Sequence, residues 1–238
     1  MIGNRTAIGV VLLAAAAAAW SIGTSAQGRT ATSPDISGYW ELPIDGRHIP
    51  PARLASRVTP AMLRAEAAKS AKAIRWCNWV GMPTTMDVGR PLDIRQGTRE
   101  IMILAESPLT PVRHLYLNRT AHISNDIFDL TTSGDSIARW DGETLTVDTT
   151  GFEPTHGVTT IPGGGFRTAT SHLVERYRLL KNGAMLSVTF TWTDPAVFAM
   201  PHSYEFRYQR VERGYEPRPY GRCDPFDADR AAFFDAAR

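Results

Sequence analysis

The sequence predicts a mainly β protein: an antiparallel β-barrel or strongly curled sheet, with an N-terminal helix and a short C-terminal helix. Three observations carry that expectation. Nine short segments alternate apolar and polar residues with period two, each bounded by Gly, Pro, Asn or Asp. Asn182-Gly183 and Asp141-Gly142-Glu143-Thr144 supply hairpin-turn residues between such segments. Helical signals are confined to the two ends, and consecutive antiparallel strands without intervening helices must curl to bury their apolar face.

Taken in chain order, residues 1–26 read as a signal peptide. Arg5 gives a positive start, Ala7 to Trp20 is an apolar run, and Thr24-Ser25-Ala26 offers small residues for cleavage before Gln27. The run is short for a spanning helix, which needs about 20 residues; an uncleaved anchor is the alternative. Residues 27–90 then form an N-terminal segment holding the first strand, 36–41, and a helix. Thr59 is a suitable N-cap, Pro60 suits the first helical position, and the stretch to about Arg75 is rich in Ala, Leu, Lys and Glu. Residues 91–238 complete a single β-barrel domain. Its expected strands are 91–96, 100–106, 112–118, 136–140, 144–150, 170–180, 185–193 and 203–211, with a closing helix from about Asp227. The long loops are 119–135 and 151–168, and loops of that length in a compact domain are frequently functional.

Composition excludes several classes. The 238 residues are 43% hydrophobic and 21% charged, with 26 Lys+Arg against 24 Asp+Glu. No basic stripe appears, so a nucleic-acid partner has no electrostatic basis. No second apolar run approaches membrane length, so stable membrane insertion is not expected. No phosphate-binding glycine loop and no GxSxG elbow occurs, which argues against nucleotide, dinucleotide and α/β-hydrolase functions. No cofactor is expected. The two cysteines, Cys77 and Cys223, are placed to form a disulfide in an oxidising compartment; two separate buried thiols are the alternative.

The Asn182-Gly183 turn sets a register. With Lys181 opposite Ala184, the pairs Leu179–Leu186, Tyr177–Val188, Glu175–Phe190 and Leu173–Trp192 share one face. That face is the core, so Glu175 points inward among aromatic and aliphatic side chains. A buried carboxyl group is costly unless paired or protonated, and burial raises its pKa toward the range a general acid or base needs. Glu175 is therefore either a catalytic acid/base group or a structural carboxylate tied to an arginine or to backbone. On the first alternative, Glu175→Leu would leave stability unchanged or improve it. In the other hairpin, Trp140 pairs with Leu145 and Ala138 with Val147, all inward, while Arg139, Thr146 and Asp148 face out.

Six histidines occur, at 48, 114, 122, 156, 172 and 202, and none has metal-ligand spacing. No metal is expected. His122 and His156 fall in the long loops, His172 on the polar face, and the side taken by His114 stays open.

Several segments together resemble a family of uncharacterised exported bacterial proteins. The family reads GHSxGRWEGDTLVVDTxGF where this chain has Gly134 to Phe152. Arg113 through His122, His172 through Tyr177 and Asp194-Pro195 match further family segments, and Cys77, Pro83, Pro91, Ile94, Gln96 and Glu106 fit its spacing. Asp135 stands where the family has His, and His202 where it has Trp. The resemblance implies that His122, Arg139, Asp148, His172 and Glu175 are family-typical; it implies no activity. Separately, Gly38-Tyr39-Trp40 resembles the opening of lipocalin-like barrels.

The combined expectation is an exported, periplasmic or secreted, lipocalin-like barrel enclosing a small apolar or aromatic compound. Trp40, Tyr177, Phe190 and Trp192 would line the pocket, with Arg139 and His156 as further contacts. Glu175 and His122 would perform acid/base chemistry of lyase, decarboxylase, isomerase or hydratase type. A non-catalytic binding or carrier protein is the rival.

Overall fold

The structure is a computed structural model and describes residues 33–124, 126–211 and 215. Among the described residues ten strands are present: β1 (Gly38–Glu41), β2 (Arg47–His48), β3 (Leu92–Gln96), β4 (Glu100–Ala105), β5 (Arg113–Tyr116), β6 (Asp135–Asp141), β7 (Thr144–Thr150), β8 (His172–Leu180), β9 (Met185–Thr193) and β10 (His202–Arg210). Nine of them form one ring in the order β1-β3-β4-β5-β6-β7-β8-β9-β10, closed by a β1–β10 ladder, and β2 lies outside against β10. The protein is a closed β-barrel, as period-two alternation demands of a sheet with one buried face.

One α-helix, α1 (Pro60–Arg75), is found among the described residues. Its start follows from sequence: the Thr59 side chain accepts from Met62 N at 3.2 Å, and Pro60 occupies the first turn. Ser70 and Ala73 bury against the protein, and Ser70 Oγ accepts from Thr159 N at 3.1 Å. The expected C-terminal helix, the leader at 1–26 and Cys223 lie outside the described residues.

The ring departs from an all-antiparallel order at one place. β5 and β6 run parallel, Leu115 opposite Ser136 and Tyr116 opposite Ile137. A parallel neighbour cannot be reached by a tight turn, so residues 117–134 must carry the chain back to the end where β5 began. The β8–β9 ladder has the expected register, Tyr177 opposite Val188 and Glu175 opposite Phe190. Asn182 (φ 53°, ψ 39°) and Gly183 (φ 85°) make the tight turn, closed by Ala184 N donating to Lys181 O at 3.1 Å. Lys181 itself takes φ 50°, so the ladder ends one pair earlier than expected, at Leu180–Met185.

Gly183 has open space where a Cβ would stand, so only its backbone conformation constrains it. Gly183→Val is therefore expected to cost ~1–3 kcal/mol through strain alone. Urea denaturation beside the parent checks this, and an unchanged midpoint would show that the turn readily takes another form.

The barrel interior is filled. Trp40, Tyr177, Phe190, Trp192, Phe206 and Tyr208 are fully buried with Ile94, Ile103, Leu145 and Val188 in one core cluster. Phe190 stacks on Tyr204 at 4.9 Å between centroids, and Phe152 packs on Trp192 at 5.3 Å.

Candidate functional site

Five side chains cross the inner wall as a polar seam. Arg113 enters from β5, Ser136 from β6, Thr149 from β7, and Glu175 and Tyr177 from β8, all buried. Arg113 grips Glu175 with both terminal nitrogens: Nη1 donates to Oε1 at 2.8 Å and Nη2 donates to Oε2. The Tyr177 hydroxyl donates to Oε1 at 2.8 Å. Arg113 Nη2 also donates to Ser136 Oγ at 3.2 Å and Thr149 Oγ1 at 3.1 Å. Burial acts to strip the guanidinium of its proton, but the adjacent Glu175 carboxylate outweighs it and holds the Arg113 pKa above its ordinary value. Burial, then Glu175, pushes the Tyr177 phenol well up.

Glu175 does point inward, as the register requires. Its carboxylate is occupied by a bidentate arginine and a phenol, which is the structural alternative drawn from the sequence. The sign expected for Glu175→Leu on the catalytic alternative therefore reverses, because the substitution would strand Arg113.

A second polar array lies on the outer face. His122, in the 117–134 crossover, sits between two carboxylates: Nδ1 is 2.9 Å from Asp135 Oδ2, and Nε2 is 2.9 Å from Asp148 Oδ1. His172 Nε2 reaches the same Asp148 oxygen at 2.9 Å. Arg119 Nη2 and Ile123 N donate to Asp135 Oδ2. Burial raises the Asp135 pKa, but the hydrogen bonds from Arg119, His122 and the Ile123 amide prevail and hold it below the usual carboxylate range. The contacts of Arg119, His122 and Ile123 clasp the crossover onto the start of β6 and the far half of β7, and Asp148 ties His172 of β8 into the same array.

The barrel wall separates the two expected catalytic groups. Glu175 lies opposite inward Val147, whereas Asp148, the next residue, turns outward to hold His122. His122 and Glu175 cannot work on one atom.

A cavity of about 630 Å³ lies where the crossover and the segment 151–156 fold over the starts of β5 and β6. Trp79, Val112, Ile123, Phe128 and Leu130 supply apolar walls. Arg113, Ser133, Ser136 and Asp135 also line it, with His114, Arg119, Glu153 and His156. The inner seam and the outer array thus both border one space, Arg113 from the first and Asp135 from the second. Of the contacts expected from sequence, His156 lines this cavity. Trp40, Tyr177, Phe190 and Trp192 do not; they pack in the core. Arg139 is exposed on the outer face of β6, away from the lining residues.

Sequence reasoning missed Arg113, Ser133 and the direct part of Asp135. For Arg113 a signal was present: Arg113, Leu115 and Leu117 alternate, and all three are buried. No group of three or more His, Cys, Asp or Glu among the described residues is arranged to hold a metal ion. Likewise no helix among them is long and apolar enough to cross a membrane. Compared with known protein families and with curated proteins, the chain matches none.

Proposed function

We propose that this is an exported barrel protein that binds a small apolar or aromatic compound in the cavity beneath the 117–134 crossover. The observation that carries the reading is the cavity: about 630 Å³, apolar walls, and a few convergent polar groups, the make-up of small-molecule sites. Trp79, Val112 and Phe128, all cavity-lining, keep 62%, 43% and 59% of their surface exposed, and a ligand would cover apolar area there. Titration with N-phenyl-1-naphthylamine, an uncharged aromatic fluorophore, is expected to give saturable enhancement. Val112→Trp, which fills the cavity from its wall, should weaken binding at least about tenfold, or ~1.4 kcal/mol. Absence of a saturable signal, or equal binding by the variant, counts against the site.

One observation favours a catalytic version without a cofactor. Asp135 borders the cavity and bonds His122 Nδ1, so a proton could pass between a bound compound and the ring through the carboxylate. Glu175 has no part in it. Incubating protein purified from the periplasm with its copurified compound, followed by mass spectrometry, decides between enzyme and carrier. Conversion that His122→Ala slows on the order of 10²–10⁴-fold identifies the enzyme; an unchanged compound identifies the carrier.

Export is supported by the leader-like residues 1–26 and would favour the Cys77–Cys223 bond. Intact-mass measurement is expected to place the mature start at Gln27, with no alkylation until reductant is added. Two alkylated thiols in unreduced material would remove the disulfide.

A further inference from the structure

Exposed apolar side chains gather on the cavity lining. Trp79, Phe128 and Val112 are joined there by Ile127, which adjoins Phe128 and is 72% exposed. Monomeric proteins seldom leave such side chains together without a partner. The chain itself can supply one. Tyr215 packs against Tyr39 of β1, 5.2 Å between centroids, and its hydroxyl reaches both carboxylate oxygens of Glu106 at 2.7 Å. After β10 the chain thus passes β1 and arrives at the connection between β4 and β5, which carries Pro111 and Val112 of the cavity lining. In the same connection Leu109 O accepts from Val80 N at 2.9 Å, which brings Cys77 and Trp79 alongside.

The inference rests on the Cys77–Cys223 bond of the reading above. Eight residues lead from Tyr215 to Cys223, enough to span up to about 26 Å. Cys77 lies two residues from Trp79, at most about 7 Å along the chain, and a disulfide sets the partner Cα about 6 Å away. The bond would anchor residues 224–238, which lie outside the described structure, beside the apolar patch. Those 15 residues match the surface in chemistry. Phe226, Phe233 and Phe234 offer apolar area, and Asp224, Asp227 and Asp229 follow the anchor closely. On the other side of the bond, α1 ends in a turn carrying Lys72 and Arg75, both exposed, immediately before Cys77. A segment tethered this closely meets the patch at an effective concentration on the order of millimolar, so a modest affinity suffices to seat it.

We propose that residues 224–238, anchored through Cys223, dock on Trp79, Val112 and Phe128 and cover the cavity from outside. Hydroxyl-radical footprinting of the full chain, read by mass spectrometry, tests this. Phe233→Ala combined with Phe234→Ala is expected to raise oxidation of Trp79 and Phe128 at least about threefold. Met200, 51% exposed and away from the lining, should not change. Asp227→Lys combined with Asp229→Lys keeps every apolar side chain and should also raise it, by an amount that shrinks in high salt. Cys223→Ser, which releases the anchor, should match the phenylalanine variant. Equal oxidation of Trp79 in the parent and the phenylalanine variant would overturn the proposal. Protection that grows with protein concentration would overturn it in favour of a second copy of the chain. Free thiols in the intact-mass measurement would remove the anchor and the proposal with it. The footprint needs no ligand, so a protein that never binds the fluorophore defeats the binding reading and leaves the docked segment standing.

Discussion

Glu175→Leu is expected to destabilise the protein by about 3–5 kcal/mol, because it leaves the Arg113 guanidinium buried without its carboxylate. Both side chains are essentially inaccessible, 1% and 0% exposed, so solvent cannot take over the role of the lost partner. The cost belongs to breaking the pair rather than to its net worth. Arg113→Met combined with Glu175→Leu removes both charges on an inner face already lined by Leu145, Val147 and Leu173. That double variant should recover most of the loss, since apolar replacement of buried pairs is often neutral or stabilising. Chemical denaturation at neutral pH of the parent, both single variants and the double variant completes the cycle. A Glu175→Leu protein as stable as the parent would show that Arg113 finds water or another acceptor, and the inner seam would lose its structural meaning.

Gly134→Ala should cost about 2–5 kcal/mol, from backbone strain and overpacking together. Gly134 has φ +72°, and a Cβ there would stand 2.7 Å from both Thr149 Cγ2 and the Thr150 carbonyl oxygen. The carbonyl belongs to the β6–β7 ladder and cannot swing away without breaking it. Gly183→Ala is the control: also at positive φ, with nothing within 4 Å of the added atom, it should lose only about 1–2 kcal/mol. Gly134 lies on the cavity lining beside Ser133 and Asp135, so its variant should also bind the fluorophore less well. Two glycine variants of equal stability would mean that β6 shifts to admit the methyl group.

The parts of the fold that were legible in the sequence are those fixed by neighbours in the chain. Thr59-Pro60 marked the start of α1, and Asn182-Gly183 with strict alternation set the β8–β9 register, placing Glu175 inside before any partner was visible. The parallel β5–β6 pairing was not legible, because no local residue pattern says which strand a crossover will rejoin. Two-residue β2 is too short to carry a period. The candidate site failed to emerge for the same reason: Trp79, Phe128 and His156 come together only after the crossover folds down. Large aromatics on the inward face suggested a lined pocket, but Trp40, Phe190 and Trp192 are bulky enough to fill the barrel they were expected to line. The alternation that carries Arg113 inward with Leu115 was readable, and following it would have supplied the counter-ion of Glu175.

The β1–β10 seam joins the two ends of the described fold. Trp40 lies opposite Arg210, the Arg210 guanidinium stands 4.1 Å over the Trp40 ring, and its Nη1 donates to Ser37 O across 173 residues at 2.8 Å. Until the last strand has been made, β1 therefore has only one of its two ladders, and the growing sheet carries two raw edges. Such edges are templates for pairing between molecules, and a chain that must wait for its final strand is exposed to that hazard for the whole of its synthesis. Passage across a membrane as an unfolded chain, followed by release in one piece, would deliver first and last strands to the same compartment together and shorten the interval in which the barrel stands open.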